Sequence, residues 1–251
     1  MSKGLSYFVA ALIFFSPSQS ARAEDAKAIV KAAIEYWRAS SSYGVFDMTI
    51  HRPDWQRTMT LRSWTKGSDR SLTRVIAPKK DAGNGTLLVK KRMWQYSPKI
   101  NRIIKIPASM MNQSWMGSDF SNNDISKADD LIDQYHHKLL KKHKKAGHTV
   151  YVIQAIPMDD APVVWGKEIV HIRDDYLILQ HDFYDQDGRL VKKMVTLRIK
   201  KMGGRNVAAR QRMQKIDKPG EWTEVVVKNI RFNLPMPMSR FTLSNLRNPR
   251  R

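Results

Sequence analysis

Four histidines, His136, His137, His143 and His148, lie within one short stretch and are the side chains whose type and spacing most invite metal chemistry. Neutral imidazoles bind zinc and related ions, but this spacing fits no standard zinc pattern. Adjacent His136 and His137 point to opposite faces if the stretch is a strand. Lys138, Lys141, Lys142, Lys144 and Lys145 surround them with charge that repels a cation. The expectation is therefore no metal. The lysine run is expected to form a hairpin turn closing at Gly147, either solvated or touching anionic lipid. The chain has no cysteine, which removes thiol nucleophiles, thiolate metal sites and disulfides. It carries no G-x-S-x-G elbow, no Ser/His/Asp signature and no phosphate loop. Asp119 and Asp124 lie among turn-forming residues, where an aspartate caps a backbone N–H or pairs with an arginine; Arg74 and Arg102 are the expected partners. No catalytic residue and no cofactor is assigned. An enzyme acting on a cell-envelope lipid would need a polar constellation inside a cavity, and the sequence discloses none.

A second group has the chemistry of hydrocarbon contact. Pro107–Asp133 holds Met110, Met111, Trp115, Met116 and Phe120 among Ser, Asn, Gly and Asp. The whole chain has 13 Met and 7 Trp. Methionine is flexible and polarizable, so surfaces rich in it adapt to irregular apolar partners. Such residues serve equally as plain core, and composition leaves both roles open. If the group faces a cavity, each buried methylene contributes about 0.8 kcal/mol, and twelve give roughly 10 kcal/mol before ordering costs. That is enough to carry an acyl chain without a covalent bond.

These residues must be held by elements that the periodicity predicts. In Glu24–Ser40, Ala26, Ile29, Val30, Ala33, Ile34 and Trp37 recur at helical spacing and form one apolar face. Glu24 and Asp25 suit the positive end of its dipole. Beyond Ser40 the period changes to two, as in Phe46-x-Met48-x-Ile50 and Trp55–Trp64. Further strands are expected over Arg70–Ile76, Thr86–Lys90, Met93–Ser97, Arg102–Ile106, Thr149–Ile156, Trp165–Arg173, Tyr176–Tyr184, Leu190–Ile199, Asn206–Met213 and Trp222–Ile230. Turn pairs such as Lys66-Gly67, Asn84-Gly85, Asp187-Gly188 and Gly203-Gly204 separate many of them. About eleven or twelve short strands with no helical crossovers argue an antiparallel meander in a mainly β, α+β fold. Short helices are expected at Ala108–Ser114, Lys127–Asp133 and Met238–Leu246.

The N-terminus adds a compartment. Lys3 precedes the apolar run Leu5–Phe15, and Ala21-Arg22-Ala23 supplies a small-x-small cleavage pattern. Residues 1–23 are expected to be a secretory signal peptide, since the run is too short to span a bilayer. Residues 24–251 are expected to form one domain, exported to the periplasm and, with no cysteine for a lipobox, not lipid-anchored. The net charge is +21. An exported protein meets no nucleic acid, so its anionic partners would be membrane head groups or an acidic protein face; a merely solvated basic surface is the other reading.

Arg74–Asp130 resembles the signature of the LolA-like outer-membrane lipoprotein-sorting proteins, in their longer branch often encoded beside large export pumps. The matching pieces are Arg74-Val75-Ile76-Ala77-Pro78, Asp81 with Gly85-Thr86-Leu87-Leu88, Met93-Trp94-Gln95-Tyr96-Ser97-Pro98, Asn101-Arg102, Ile106-Pro107, and Ser114-Trp115-Met116-Gly117-Ser118-Asp119-Phe120 with Asp124. The resemblance implies an incomplete β-barrel of about eleven strands, lidded by N-terminal, middle and C-terminal helices over an apolar concavity. It implies a non-catalytic, monomeric periplasmic carrier of lipid or lipoprotein acyl chains, or an accessory of an inner-membrane transporter of the RND type. Candidate contacts for the cargo are Ile29, Ala33, Trp37, Trp94, Tyr96, Met110, Met111, Trp115, Met116 and Phe120. Arg74, Arg102, Gly117, Asp119 and Asp124 are expected to be structural.

Overall fold

Hydrophobic alternation is realised as one large antiparallel sheet. The computed structural model describes residues 25–127 and 129–249, so the expected signal segment lies outside the described residues. Thirteen strands run β1 (Ser41–Arg52), β2 (Trp55–Lys66), β3 (Arg70–Ala77), β4 (Gly85–Val89), β5 (Arg92–Ser97), β6 (Arg102–Lys105), β7 (Tyr135–Lys145), β8 (His148–Pro157), β9 (Lys167–Arg173), β10 (Ile178–Tyr184), β11 (Leu190–Met202), β12 (Arg205–Lys215) and β13 (Trp222–Phe232). Their order is β6-β5-β4-β3-β2-β1-β13-β12-β11-β10-β9-β8-β7. Chain neighbours pair as hairpins, and the first and last strands meet in the middle, Met48 opposite Val225. The outer edges, β6 and β7, are joined only by the segment between them. Register shifts at Val45/Phe46, Thr60/Leu61 and Thr196/Arg198 mark irregularities of the kind that bend strands and deepen twist, and the sheet is open and curled rather than closed.

Each expected strand has a counterpart, and the thirteenth is β7. The lysine run is not a turn: Tyr135–Lys145 pairs along its length with β8, and the turn is confined to Ala146-Gly147. Only Tyr135 in β7 is fully buried, so the strand has no apolar alternation to betray it. Exposed lysines also suit an edge, because they discourage another strand from adding there.

One face of the sheet is covered by the N-terminal helix and the middle segment, whereas the C-terminal segment, expected as part of the same lid, packs on the opposite face because the residues it meets alternate with the inward ones. α1 (Ala26–Arg38) begins at an Asp25 cap whose carboxylate accepts from the Lys27 and Ala28 amides at 3.0 and 3.3 Å. Its Ala26, Val30, Ala33 and Ile34 pack with Leu131, Ile132, Tyr135, Ile153, Val170 and Ile172 over β7–β9. On the opposite face Leu72 and Leu87, which alternate with the inward Thr73 and Thr86, meet Met236, Phe241 and Leu246. There the expected C-terminal helix is broken in two: a 3-10 turn at Met238–Arg240, then α4 (Leu243–Arg247), restarted by the Thr242 cap. Arg74, buried beneath α4, does not pair with Asp119 or Asp124. It donates from Nη2 to the Asn245 and Leu246 carbonyls at 2.8 and 2.9 Å, neutralising the negative end of a short helix. Desolvation holds its pKa below the usual arginine value. Gly85 leaves room for the same helix, since a Cβ there would lie 2.9 Å from Leu246 Cδ1. Arg74→Met should cost about 2 kcal/mol in urea unfolding, the worth of charge-assisted bonds of this kind, and should expose α4 to proteolysis first.

The middle segment holds less helix than expected. Ala108–Ser114 shrinks to a 3-10 turn at Ala108–Met110, and Lys127–Asp133 to α3 (Asp130–Asp133). Asn112, Ser114 and Gly117 favour turns, and Met116 takes a left-handed φ of 53° within a second 3-10 turn, Trp115–Gly117. A helix not expected, α2 (Asn122–Ser126), starts from a reciprocal capping box of Ser121 and Asp124. No described helix is long and apolar enough to cross a membrane.

Candidate functional site: an apolar chamber with a polar wall

Between α1, the middle segment and the sheet lies a chamber of about 410 Å³, within the usual range of about 300–1,000 Å³ for small-molecule sites. Ala33, Ile34 and Trp37 of α1 form one side, with Trp37 at the rim and 40% exposed. Phe46, Met48 and Leu61 come from β1 and β2; Met194, Ala208, Met213 and Val225 come from β11–β13. The middle segment supplies Trp115, Phe120 and Ile125, and the loop before β9 supplies Val163, Val164 and Trp165. A second cavity of about 120 Å³ shares Phe120, Asn123, Val164 and Trp165 with the first, so these four border both. Its other walls are more polar, with Ser114, Asp119, Ser121, Lys192 and Lys215.

The wall of the larger chamber also carries ionisable groups. Glu168 of β9 is buried; its Oε2 meets His181 Nε2 of β10 at 2.5 Å, and the Tyr135 phenol lies close to the carboxylate. Burial, then the Glu168 charge, push the Tyr135 phenol far above its ordinary pKa, so it stays protonated. The His181 ring stacks on Phe183 at 4.0 Å between centroids. At the edge of the smaller cavity, buried Lys192 is paired with Asp124, its ammonium 4.9 Å from both the Trp165 and Phe183 ring centroids. Asn123 Oδ1 is buried with no hydrogen-bond partner.

Two clamps hold the cover. Asp119 is bound through both oxygens by Arg52 at 3.2 Å and accepts from Thr223 Oγ1 at 2.6 Å, tying the Trp115–Phe120 loop to β1 and β13. Near the C-terminal end of α1, Arg205 donates to the Tyr36 carbonyl at 2.6 Å, and the Tyr36 hydroxyl donates to the Asn206 carbonyl at 2.9 Å. Asn206 in turn donates to Asp175, which Arg173 also grips. Burial alone would raise the Asp175 pKa, but the bonds from Arg173 and Asn206 outweigh it and hold the group at about 2. A depressed carboxylate contributes stability above its unfolded pKa and loses it as pH falls through the folded one. Asp175→Asn should therefore cost on the order of 2 kcal/mol at pH 7. The gap from the parent protein in thermal unfolding should shrink steadily below about pH 4 and vanish towards pH 2.

The structure sorts the sequence-derived candidates. Ala33, Trp37, Trp115 and Phe120 border the chamber. Ile29 packs in the core under α1, and Trp94 and Tyr96 pack with Leu72, Leu87 and Phe241 near α4. Met110 and Met111 lie against Leu88, Met93 and Ile106, and Met116 against the Met48–Met59–Leu61 cluster. Trp94 and Tyr96 lie on the sheet face opposite the chamber, and Ile29, Met110, Met111 and Met116 are taken up in packed clusters beside it. Asp119 pairs with Arg52, and Asp124 with Lys192 and the α2 cap, rather than with Arg74 or Arg102. Arg102 is exposed on the edge strand β6. Gly117 has a φ of 79°, following the left-handed Met116. His137 Nε2 contacts the Leu131 carbonyl at 2.8 Å, and burial lowers its pKa. One carboxylate–histidine group among the described residues, His148, Asp174 and Asp175, has its ligand atoms within 4.8 Å; Asp175 there is already held by Arg173 and Asn206.

Sequence reasoning missed Glu168, His181, Tyr135 and Lys192. The signal was present in Lys-Glu-Ile-Val-His-Ile-Arg: Glu168 shares its phase with Val170 and Ile172, both buried, so the alternation itself puts a carboxylate on the inner face.

Comparison with known proteins places the molecule. A family model described as "Uncharacterized protein" matches residues 67–248. A DUF1329 family protein from Desulfovibrio piger is 26% identical with a TM-score of 0.78, the alignment covering 88% of this chain and 98% of that one. A domain from Vibrio parahaemolyticus, described with outer membrane lipoprotein sorting, shares the fold at 23% identity and a TM-score of 0.76, over 89% and 98% of the two chains. A LolA superfamily protein from Nitrosomonas europaea does so at 21% identity and 0.71, over 88% and 98%. None of the curated proteins matches the sequence.

Proposed function

Because this chain belongs to the LolA-like DUF1329 family, we propose that it is a non-catalytic periplasmic carrier that shelters a lipid or lipoprotein acyl chain on its way towards the outer membrane. The observation that carries this reading is the chamber of about 410 Å³ under α1 and the Trp115–Phe120 loop, walled mainly by Met, Leu, Ile, Val and aromatic side chains. Apolar area removed from water there supplies affinity without directional bonds, at about 25 cal/mol per Å². One carrier can thus accept chains of varied structure. Protein purified from the periplasm should release acyl lipid on solvent extraction, detected by mass spectrometry. Protein that comes out empty and takes up no uncharged apolar fluorophore would refute the reading.

A second role, as accessory to an inner-membrane transporter of the RND type, rests on β7. Lys138, Lys141, Lys144 and Lys145 are exposed along this edge strand, away from the chamber's lining. Such a row suits an acidic protein face or an anionic membrane surface. Replacing these four lysines by glutamate should abolish co-sedimentation with inner membranes while leaving lipid content unchanged, and high salt should imitate the substitutions.

A further inference from the structure

A chamber meant for hydrocarbon alone gains nothing from a carboxylate in its wall, since burying a charge is costly unless it is paired and bonded. Glu168 is 5% exposed and borders the chamber, as do its partners Tyr135 and His181. A carboxylate has room for about four hydrogen bonds. His181 supplies one. Asn123, on the same lining, holds a further acceptor, Oδ1, with no donor.

The donors are differently placed. Of the chamber's cations, Arg38 is tied to Asp129 at 2.5 Å, and Lys127 to the Pro162 carbonyl at 3.1 Å and Asp130 at 3.8 Å. Lys192, beside the smaller cavity, is tied to Asp124. Both the arginine and the lysine that border the larger chamber thus have a carboxylate partner, while acceptor capacity is left over.

We propose that the chamber's occupant is an amphiphile whose polar end is a hydrogen-bond donor, a hydroxyl or an ammonium, bound by the Glu168 carboxylate within the Tyr135–Glu168–His181 cluster, with its apolar body against Met48, Leu61, Met194 and Met213. This rests on the carrier reading and narrows it from any acyl chain to chains with such a head. His181 fixes the Glu168 carboxylate, with the Tyr135 ring beside it, so its remaining lone pairs are aimed before the ligand arrives. A carboxylate head would meet Glu168 as a like charge and is selected against.

The test is a series of twelve-carbon probes on the full purified chain: dodecanol, dodecylamine, dodecyl methyl ether and dodecanoate, each displacing a bound fluorescent fatty probe. Dodecanol or dodecylamine should bind about tenfold or more tighter than the methyl ether, the fold-change of one bond to a charged acceptor. Whichever of the two is tighter identifies the head. Glu168→Leu should bring the ratio close to one, and Glu168→Gln should lower it. The imidazole nitrogen resonances of His181, identified by their loss in His181→Gln, should shift on adding dodecanol to wild-type protein; this readout needs no substitution at Glu168. Equal binding of alcohol, amine and ether overturns this inference while leaving the carrier reading intact. So does dodecanoate as the tightest ligand, or a preference that survives both Glu168 variants. Failure of every probe, the fluorescent one included, refutes the carrier reading and this inference together.

Discussion

Ala208→Trp should lower hydrocarbon uptake by at least tenfold while leaving the protein folded. Ala208 lies on β12 and is a small side chain on the sheet floor of the chamber, near Met194, Met213 and Val225 on the same lining. An indole there projects into a space of about 410 Å³ and takes the volume that an acyl chain would occupy. Losing contact with even two methylenes forfeits roughly 1.6 kcal/mol, already more than tenfold. Exclusion from the chamber forfeits far more. The backbone is little disturbed because the ring fills space rather than displacing packed atoms, so unfolding should change by no more than about 1–3 kcal/mol. Titration with an uncharged apolar fluorophore, alongside urea unfolding, separates the two effects. Trp37→Ala, at the rim, should weaken uptake only modestly.

Arg52→Ala should be the most destabilising single change to the cover, at about 3–5 kcal/mol, because it leaves a buried carboxylate without its cation. The Asp119 side chain is 1% exposed, and Arg52 supplies both of its charge-assisted bonds. Arg52 also pairs with Glu221 at 3.2 Å and donates to the His51 carbonyl at 2.7 Å, so one guanidinium joins β1, the loop and the approach to β13. Removing Asp119 as well should restore part of the loss. In a double-mutant cycle, Arg52→Ala with Asp119→Ala should cost less than the sum of the single changes. Since this clamp seats Trp115 and Phe120, the single variant should also leak lipid; unchanged unfolding and retention would show the loop to be held by packing alone.

The strands were legible because each buries one face of a curled sheet, and burial on one face forces a period of two. Asn84-Gly85 and Gly203-Gly204 mark where strands end for the same reason turns need them. What hid β7 is that an edge strand covered on one side only by Tyr135 and half-buried His137 and Leu139 need not alternate; its pairing with β8 is a tertiary fact. The middle segment misled differently. Its methionines read as lid residues because they sit outside any strand. Yet Met110 and Met111 are drawn into a cluster with Leu88 and Met93, a contact no local pattern encodes. The carboxylate partners also lay beyond reach: Arg52 and Asp119 are far apart in sequence and meet only through the fold. Glu168 was readable in part, from phase, but its meeting with His181 and Tyr135 required the order of β7, β9 and β10.

Strand order has a consequence for how the molecule assembles. Every neighbouring pair except β1 and β13 is consecutive in the chain, so β1–β6 and β7–β13 are two meanders built of local hairpins. Local pairings form quickly, and the one distant ladder carries the largest closure entropy. The walls of the chamber come from both meanders, Met48 and Leu61 from one, Ala208 and Val225 from the other. A ligand-ready enclosure therefore exists only after the halves have zipped, and bound cargo should slow unfolding while leaving the folding rate unchanged.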